Sequence, residues 1–472
     1  MILRVSSLTN LGVGICRTTE PMTITHKKYF EKRKKRNEKN DNNEVNMEEE
    51  ITTTLNNWVI MVPNVIPGEL VKLKIYRNYK TYSEADLVEI IEPSMNRVTP
   101  ICPLFFKCGG CQYQHMDINT QRQWKQEQVQ ELLEHVGGFN PSSFPSVLPT
   151  LGTEHTYHYR SKITPHYDAP KKQPYISAIG FKEKSSRRIL DVPECFIATH
   201  AINEKLTEVR DQKQKECREG TLRRPNKGAT LLLRDVDSGV VTDNNEYVET
   251  TVFTKNNDKS SGLTFRFMAG NFFQNNPYML GHMVEKVVEA SIKHSSVSGK
   301  PMTHLIDCYC GSGLFCLSSS KYFHQCVGIE VNAKAVDEAS YNAALNGIEN
   351  CAFVAASAEA IFASEEAVVN HKKLCDDTND TESDQKVYVR DFPKDTTVVV
   401  VDPPRKGCSE EFLHQLYEFE PQRVVYMSCD PATQARDAKS IVANGYEIIS
   451  AQPFDLFPQT RHIESLVVFE RK

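Results

Sequence analysis

The chain has no window of about 20 uninterrupted apolar residues, the length needed to cross a bilayer, so no transmembrane helix and no membrane partner are expected. Its first residues, MILRVSSLTNLGVG, show no charged region followed by a long apolar stretch. They also lack the Arg- and Ser-rich amphipathic character of an organellar leader. The protein is expected inside the cell and not secreted, with cytoplasm, nucleus and organelles all left open. There is no G-x-x-x-x-G-K-[ST] motif, which sets aside a phosphate-cradling loop. There is no strong charge of one sign: the net charge is −5. Total charge argues only weakly against a nucleic-acid partner, because basic residues can cluster. With no secretion signal, the 14 cysteines read as reduced thiols, metal ligands or catalysts, not as a disulfide framework.

At 472 residues the chain exceeds what one core supports, and several domains are expected. Residues 18–56 are polar and low in complexity, with a basic block Lys32-Arg33-Lys34-Lys35-Arg36 followed by Asn-rich and acidic stretches. That composition predicts a disordered insertion. Residues 241–261 and 370–395 read as further surface insertions. Around the first insertion lie short strand-like runs: a loose alternation from Leu3 to Gly14, then Trp58 to Val62, Leu70 to Tyr76 and Ala85 to Ile91. Bounded by Pro, Gly and Asn, they predict a small β-barrel of the oligonucleotide-binding type within residues 1–95. Lys72, Lys74, Arg77 and Lys80, interleaved with Tyr76, Tyr79 and Tyr82, suit stacking on single-stranded RNA, although an ordinary exposed strand face reads the same way. Residues 120–135 predict one helix. Beyond about residue 265 strand and helix patterns alternate, which predicts a parallel α/β sheet of the Rossmann type over 265–472.

Residues 101–115, ICPLFFKCGGCQYQH, hold Cys102, Cys108 and Cys111 in C-x5-C-x2-C spacing. Cys195, in DVPECF, is the candidate fourth ligand. Zinc sites usually present two paired cysteine hooks, whereas one tight hook with two solitary cysteines favours a [4Fe–4S] cluster, zinc being the alternative. No C-x3-C-x2-C hook accompanies it, so radical chemistry is not indicated. Residues 96–264 are accordingly expected to form a central mixed domain that carries the cluster and contacts RNA.

In HLIDCYCGSGLFCL an apolar strand ends at Asp307, and a Gly-Ser-Gly turn opens a helix. One βα unit later CVGIEVN ends a strand at Glu330, where an acid commonly holds ribose hydroxyls. A single glycine-rich turn with such an acid fits S-adenosylmethionine better than a dinucleotide. A third strand, Val398 to Val401, runs into Asp402-Pro403-Pro404-Arg405, a rigid lip. Enzymes that methylate exocyclic amines usually carry an aromatic residue after such prolines. Arg405 in that place argues for another target atom. A fourth strand ends in Ser428-Cys429-Asp430-Pro431, which sets a thiol at the tip of a strand.

Taken together, VPNVIPGELVKLKI, CPLFFKCGGCQYQH, GNFFQNN, YCGSG, DPPRKG, SCDPATQARD and FDLFPQTRHIES resemble the RNA uracil-C5 methyltransferases, which make 5-methyluridine in tRNA and large-subunit rRNA. The likeness extends over nearly all the chain outside the insertions, and the cysteine motif resembles the subgroup with a TRAM-type barrel and a [4Fe–4S] cluster. It implies that Cys429 is the nucleophile and Glu464 the general base. It also implies that Gln274, Tyr309, Glu330 and Asp402 contact the cofactor, that the substrate is a structured RNA, and that the protein is a monomer. Uracil C5 is too electron-poor to attack a methyl sulfonium; adding a thiolate to C6 makes C5 an enolate carbon, and a base then removes the C5 proton. The base must leave its stack to reach such a pocket. Relatives often carry Asn after the cysteine. Asp430 would raise the thiol pKa unless it points away or is paired. The rival readings are a cytosine-C5 methyltransferase and a non-catalytic RNA-binding or assembly protein that keeps the fold.

Overall fold

The computed structural model describes residues 1–30, 47–168, 174–222, 229–254, 262–360, 368–370 and 386–472. The chain forms two compact units, Met1–Phe106 with Cys111–Thr120, and Lys107–Gly110 with Gln121–Lys472. The division expected from the sequence put its boundaries at 95/96 and 264/265. The boundary set at 264/265 falls inside the strand Leu263–Met268.

In the first unit a closed barrel runs in the order Ile2–Leu8, Gly14–Arg17, Val59–Val62, Ser83–Glu92, Leu70–Asn78. The alternation in Leu70–Asn78 buries Val71 and Leu73 and exposes Lys72 and Lys74, as period-2 patterning requires. Val5, Trp58, Ile60, Val62 and Ala85 complete the barrel core. Trp58 Nε1 donates to Ser83 Oγ at 2.8 Å, so the ring is buried without an orphaned donor. On the outside, Tyr79 and Tyr82 stack at 4.5 Å between ring centroids, and the Arg77 guanidinium lies 4.6 Å from the Tyr79 ring.

Part of the expected insertion is ordered: Met22–Phe30 pairs antiparallel with Met47–Leu55, in a register that sets Ile24 against Thr53 and Thr25 against Thr52. The composition argument weighed the charge and missed two β-branched runs, MTIT and ITTT, that favour strands. The basic block 32–36 lies outside the described residues.

The second unit is built on a seven-stranded sheet, ordered Cys351–Ala355, Gln325–Glu330, His304–Cys308, Thr397–Val401, Arg423–Ser428, Glu464–Arg471, Tyr446–Phe454. Neighbouring strands are parallel from Cys351–Ala355 to Arg423–Ser428; Glu464–Arg471 alone reverses direction, and Tyr446–Phe454 pairs antiparallel with it and so runs with the rest. Thr397–Val401 and Arg423–Ser428 are buried at every residue, because helices cover both faces of a parallel sheet. Ile306, Val399, Val401, Val424 and Tyr426 face one layer, with Phe412, Leu416, Ala435 and Ile441 from two helices. Leu305, Val398, Val400, Val425 and Met427 face the other, with Met279, Met283 and Val287 of the helix Pro277–Ile292.

Two of the expected surface insertions are corrected in part. Tyr247–Val252 is a strand paired with Leu263–Met268, and Val248 and Val252 are core residues. Leu263–Met268 is held at its outer side by Asn346, Asn342 and Glu338, whose side chains accept from the amides of Thr264, Arg266 and Met268. Val389 and Phe392 also join the core, so only 371–385 of the later segment, like 255–261 of the earlier one, falls outside the described residues. Among the described residues no helix is long and apolar enough to cross a membrane.

Candidate active site

Every site residue drawn from the parallel strands sits where a strand ends. Parallel strands all expose their carboxyl ends at one edge, and ligands bind there. Cys429 follows the strand Arg423–Ser428 and precedes the helix Pro431–Ala443. Asp430 is that helix's N-cap. Its Oδ1 accepts from the amides of Ala432 at 3.1 Å and Thr433 at 3.4 Å, with Pro431 in the first turn. The carboxylate beside the Cys429 thiol is therefore engaged by the helix, and the departure from Asn at this position keeps the capping function.

The Asp402–Gly407 lip is tied to the same helix. Thr433 Oγ1 donates to Arg405 O at 3.1 Å, Arg436 Nη2 donates to Lys406 O at 2.9 Å, and Asp437 Oδ2 accepts from Cys408 N at 2.8 Å. Gly407 has φ of +78°, and a Cβ there would come within 2.5 Å of Asp437 Oδ2. Only glycine fits. One helix thus fixes both the nucleophile loop and the proline lip.

Four ionisable groups meet at this edge. Burial pushes the Cys429 thiol up to about 11, and Glu464 and then Asp402 add to the shift. Arg405 opposes it and hydrogen-bonds to the thiol. Burial pushes Glu464 up to about 8, reinforced by Asp402 and opposed by Arg405 and Lys125. Burial alone takes Asp402 to about 7. Burial favours the protonated form of all three groups, Asp402 adds to the effect on Cys429 and Glu464, and one exposed Arg opposes it on both. Burial thus favours the neutral thiol, and a reaction through the thiolate needs the substrate or a neighbouring cation to draw it out.

Beside this group lies the glycine turn. Tyr309 adopts φ of +66° directly after the strand His304–Cys308, and Gly311 and Gly313 follow at +54° and +89°. A non-glycine residue in the left-handed region is strained, and such strain collects at functional sites. Glu330 Oε2 accepts from Gly311 N at 3.3 Å and Oε1 from Asn332 N at 2.9 Å. The carboxylate fixes the turn and retains lone pairs for ribose hydroxyls. Asp307 Oδ2 accepts from Cys316 N at 2.9 Å, while its buried Oδ1 has no hydrogen-bond partner among the described residues. A turn open to the edge, an acid at the next strand end and a half-buried Asp402 fit a nucleoside-type cofactor. Gln274 is in the loop before the helix Pro277–Ile292. There it lines a cavity of about 180 Å³ with Ser161, Arg234, Thr250 and Phe267, and no hydrogen bond among the described residues joins it to the Cys429 group.

Of the four cysteines expected to hold a cluster, Cys108 and Cys195 are in the second unit, close enough for a charge on Cys108 to oppose ionisation of Cys195. Cys108 Sγ accepts from Gly110 N at 3.4 Å, and the amides of Ile197 and Ala198 point at Cys195. Amides aimed at sulfur suit metal-bound thiolates. Cys102 and Cys111 belong to the first unit. Among the described residues no group of three or more His, Cys, Asp or Glu side chains is gathered as a ligand set. No chemistry here runs through a cluster.

The sequence reading passed over two residues. Arg405 was noted only for not being aromatic, although a cation just past a proline lip beside a thiol was itself a signal. Lys125 gave none, because it sits among glutamines and glutamates in a helix whose apolar residues do not mark it as buried.

The family model for tRNA (uracil-5-)-methyltransferase matches residues 195–472. A tRNA (uracil(54)-C(5))-methyltransferase of Schizosaccharomyces pombe is 36% identical over 431 residues, 88% of this chain and 74% of the relative. The Saccharomyces cerevisiae enzyme of the same name is 32% identical over 88% of this chain and 69% of its own length. The solved structure of the Pyrococcus abyssi tRNA (uracil-54, C5)-methyltransferase in complex with S-adenosyl-L-homocysteine superposes with a TM-score of 0.62 at 20% identity, covering 99% of this chain and 100% of that one, and shares its fold. The chain belongs to the tRNA (uracil-5-)-methyltransferase family.

Proposed function

We propose that the protein methylates C5 of a uridine in tRNA, with S-adenosylmethionine as donor. The meeting of Cys429 and Glu464 at one sheet edge, within the field of Asp402 and Arg405, carries the reading. When bound at the Tyr309–Gly313 turn and Glu330, the cofactor supplies a methyl group on a sulfonium. Cys429 adds to C6 as the C5=C6 pair moves onto C5 and O4, with Arg405 beside the sulfur to favour the thiolate. After C5 has taken the methyl group, Glu464 removes the C5 proton. The C–H pair restores C5=C6, the C6–S bond breaks, and the thiolate leaves. A carboxyl held near 8 exchanges protons close to neutral pH, which suits a general base. Asp402, Tyr309 and Gln274 are proposed cofactor contacts, Asp402 being the one beside the thiol.

Relatives at 36% and 32% identity are named for tRNA, which favours tRNA over rRNA. The basic and aromatic barrel face is the proposed support for the folded RNA. The [4Fe–4S] cluster on Cys102, Cys108, Cys111 and Cys195 is the less supported part of the proposal and rests on the amide-ringed Cys108–Cys195 pair. Iron and acid-labile sulfide measured on anaerobically purified protein, lost in Cys195→Ser, test it; zinc or no metal overturns it.

The main test incubates protein, S-adenosylmethionine and tRNA lacking 5-methyluridine, and identifies product nucleosides by mass. 5-Methyluridine is expected at one mapped site. 5-Methylcytidine, or no methylated base with cofactor bound, overturns the reading.

A further inference from the structure

The helix Ile118–His135 buries Gln121, Lys125 and Gln128 as deeply as Val129. Buried polar groups need partners, and those of Gln121 and Lys125 converge on one short segment. Lys125 Nζ donates to Asp455 Oδ1 at 2.6 Å and to Phe457 O at 3.2 Å, and neither side chain of the ion pair is exposed. Arg122 Nε donates to Asp455 Oδ2 at 3.3 Å. Gln121 Nε2 donates to Gln459 Oε1 at 3.0 Å, and its Oε1 accepts from Gln459 N at 2.9 Å. Elsewhere on the same segment, Tyr159 donates its hydroxyl to Pro458 O at 2.9 Å and Asn276 Nδ2 donates to Leu456 O at 2.8 Å. Gln459 is held at φ of +68°. Every residue from Asp455 to Gln459 is tied by a side chain from outside the segment, and Glu464 follows five residues later.

A buried ion pair is a poor source of stability, since well-packed apolar groups do as well or better; it is good at fixing one arrangement. We infer that the Lys125–Asp455 pair is a positioning device for Glu464. It locks the preceding loop in the register that brings the carboxylate to the sheet edge, and it aims a fixed cation at that carboxylate. The inference rests on the proposed role of Glu464 as base. The charged and titratable groups facing Glu464 are Lys125 from the helix, Asp402 and Arg405 from the proline lip, and Cys429 from the strand tip. His462, on its own loop, is driven down to about 4 by burial and by Arg461, Arg405, Lys125 and Arg160, so it stays neutral.

The base acts only after C5 carries both methyl and hydrogen. Displacing it therefore slows the release of Cys429 from C6 and leaves thiol addition untouched. The experiment compares wild type, Lys125→Met, the double variant Lys125→Met/Asp455→Leu and Glu464→Gln on tRNA lacking 5-methyluridine. It follows turnover against pH and covalent RNA–protein adduct on denaturing gels. The double variant removes both charges together, so it tests the proposal even where Lys125→Met alone fails to fold. Turnover is expected to fall about 10- to 100-fold in the double variant. Its KM for tRNA should change by less than about twofold, because no group that binds substrate is lost. The adduct should accumulate, and the rising limb of the pH profile should move to higher pH because the cation favouring the carboxylate is gone. Wild-type turnover, or reduced turnover with no adduct and an unmoved limb, overturns the proposal and leaves Lys125 a purely structural residue. Should Glu464→Gln itself build up no adduct, the base assignment fails and the positioning proposal with it. Adduct in Glu464→Gln but none in the double variant overturns the positioning proposal alone.

Discussion

Ser428 lies opposite Ser465 in the antiparallel pairing of Arg423–Ser428 with Glu464–Arg471. One residue beyond that pair on each strand are Cys429 and Glu464. A parallel strand would have started at the far edge of the sheet, a strand's length away. Reversing the one strand Glu464–Arg471 is what lets a residue at a strand's beginning meet one at a strand's end. Gln434 fastens the arrangement, its Nε2 donating to Tyr426 O at 2.8 Å and to Ser465 O at 3.0 Å. The sheet's mixed direction is thus part of the chemistry.

Removing the nucleophile should separate activity from folding. Cys429 is half-buried in a loop whose shape is set by the Asp430 cap, so Cys429→Ala should melt close to wild type. Its methyl transfer should fall more than about a thousandfold, the scale on which single nucleophile losses act. Tritium incorporation from labelled S-adenosylmethionine, read beside a thermal melt, checks both. Residual turnover above that level would mean that another group attacks C6.

Glu464 should trade stability for turnover. Its carboxyl is held at about 8 in the folded protein, against 4.5 as its ordinary value. The folded state keeps a proton that the unfolded state releases. The stabilising contribution is therefore whole below about pH 4.5 and is lost as pH rises to about 8. Glu464→Gln carries no such cost. It should unfold at higher denaturant than wild type at pH 8.5 and show a smaller difference at pH 5, while turnover falls about 10²- to 10⁴-fold. Urea titrations at the two pH values decide it. Equal stability differences at both would mean that the carboxyl is not raised.

The site was legible from the sequence where an apolar run stops abruptly. Val398 to Val401 ending in Asp402-Pro403-Pro404, and Val424 to Met427 ending in Ser428-Cys429-Asp430-Pro431, mark strand ends by composition alone. The barrel was legible because each strand alternates. Three things were hidden. The Met22–Phe30 ribbon was masked by the charge around it. The packing role of 389–392 was masked by the polar stretch before it. The Lys125–Asp455 pair joins residues 330 apart in sequence, with no local pattern to announce it. What resists reading is the buried polar contact at long range, because periodicity reports burial of apolar faces only.

Asp430 tests whether the acid beside the thiol is a liability. As a cap it should tolerate Asn, which accepts the same amide bonds, so Asp430→Asn is expected within a few tenths of a kcal/mol of wild type and Asp430→Ala about 1 kcal/mol lower. Turnover in Asp430→Asn should equal or exceed that of wild type. A large loss would give the carboxylate a part in the reaction that its capping geometry does not contain.

Arg405 is exposed yet hydrogen-bonds to the thiol, and it opposes the upward shifts of both Cys429 and Glu464. Arg405→Met should raise both groups. The sign follows from charge: with the cation gone, thiolate and carboxylate each form less readily. The rate should fall at pH 7 and recover in part towards pH 9, as the rising limb moves to higher pH. Being on the surface, the substitution should leave the melting temperature nearly unchanged, which separates it from the buried Lys125. Arg405→Lys keeps the charge and loses the planar fork, so it should restore the position of the pH limb without restoring the full rate. Alkylation of Cys429 by iodoacetamide in the free enzyme gives an independent readout, since only the thiolate reacts. The rate constant for Cys429 should drop in Arg405→Met and rise again in Arg405→Lys. An unchanged alkylation rate in Arg405→Met would show that the guanidinium acts on the substrate and not on the thiol.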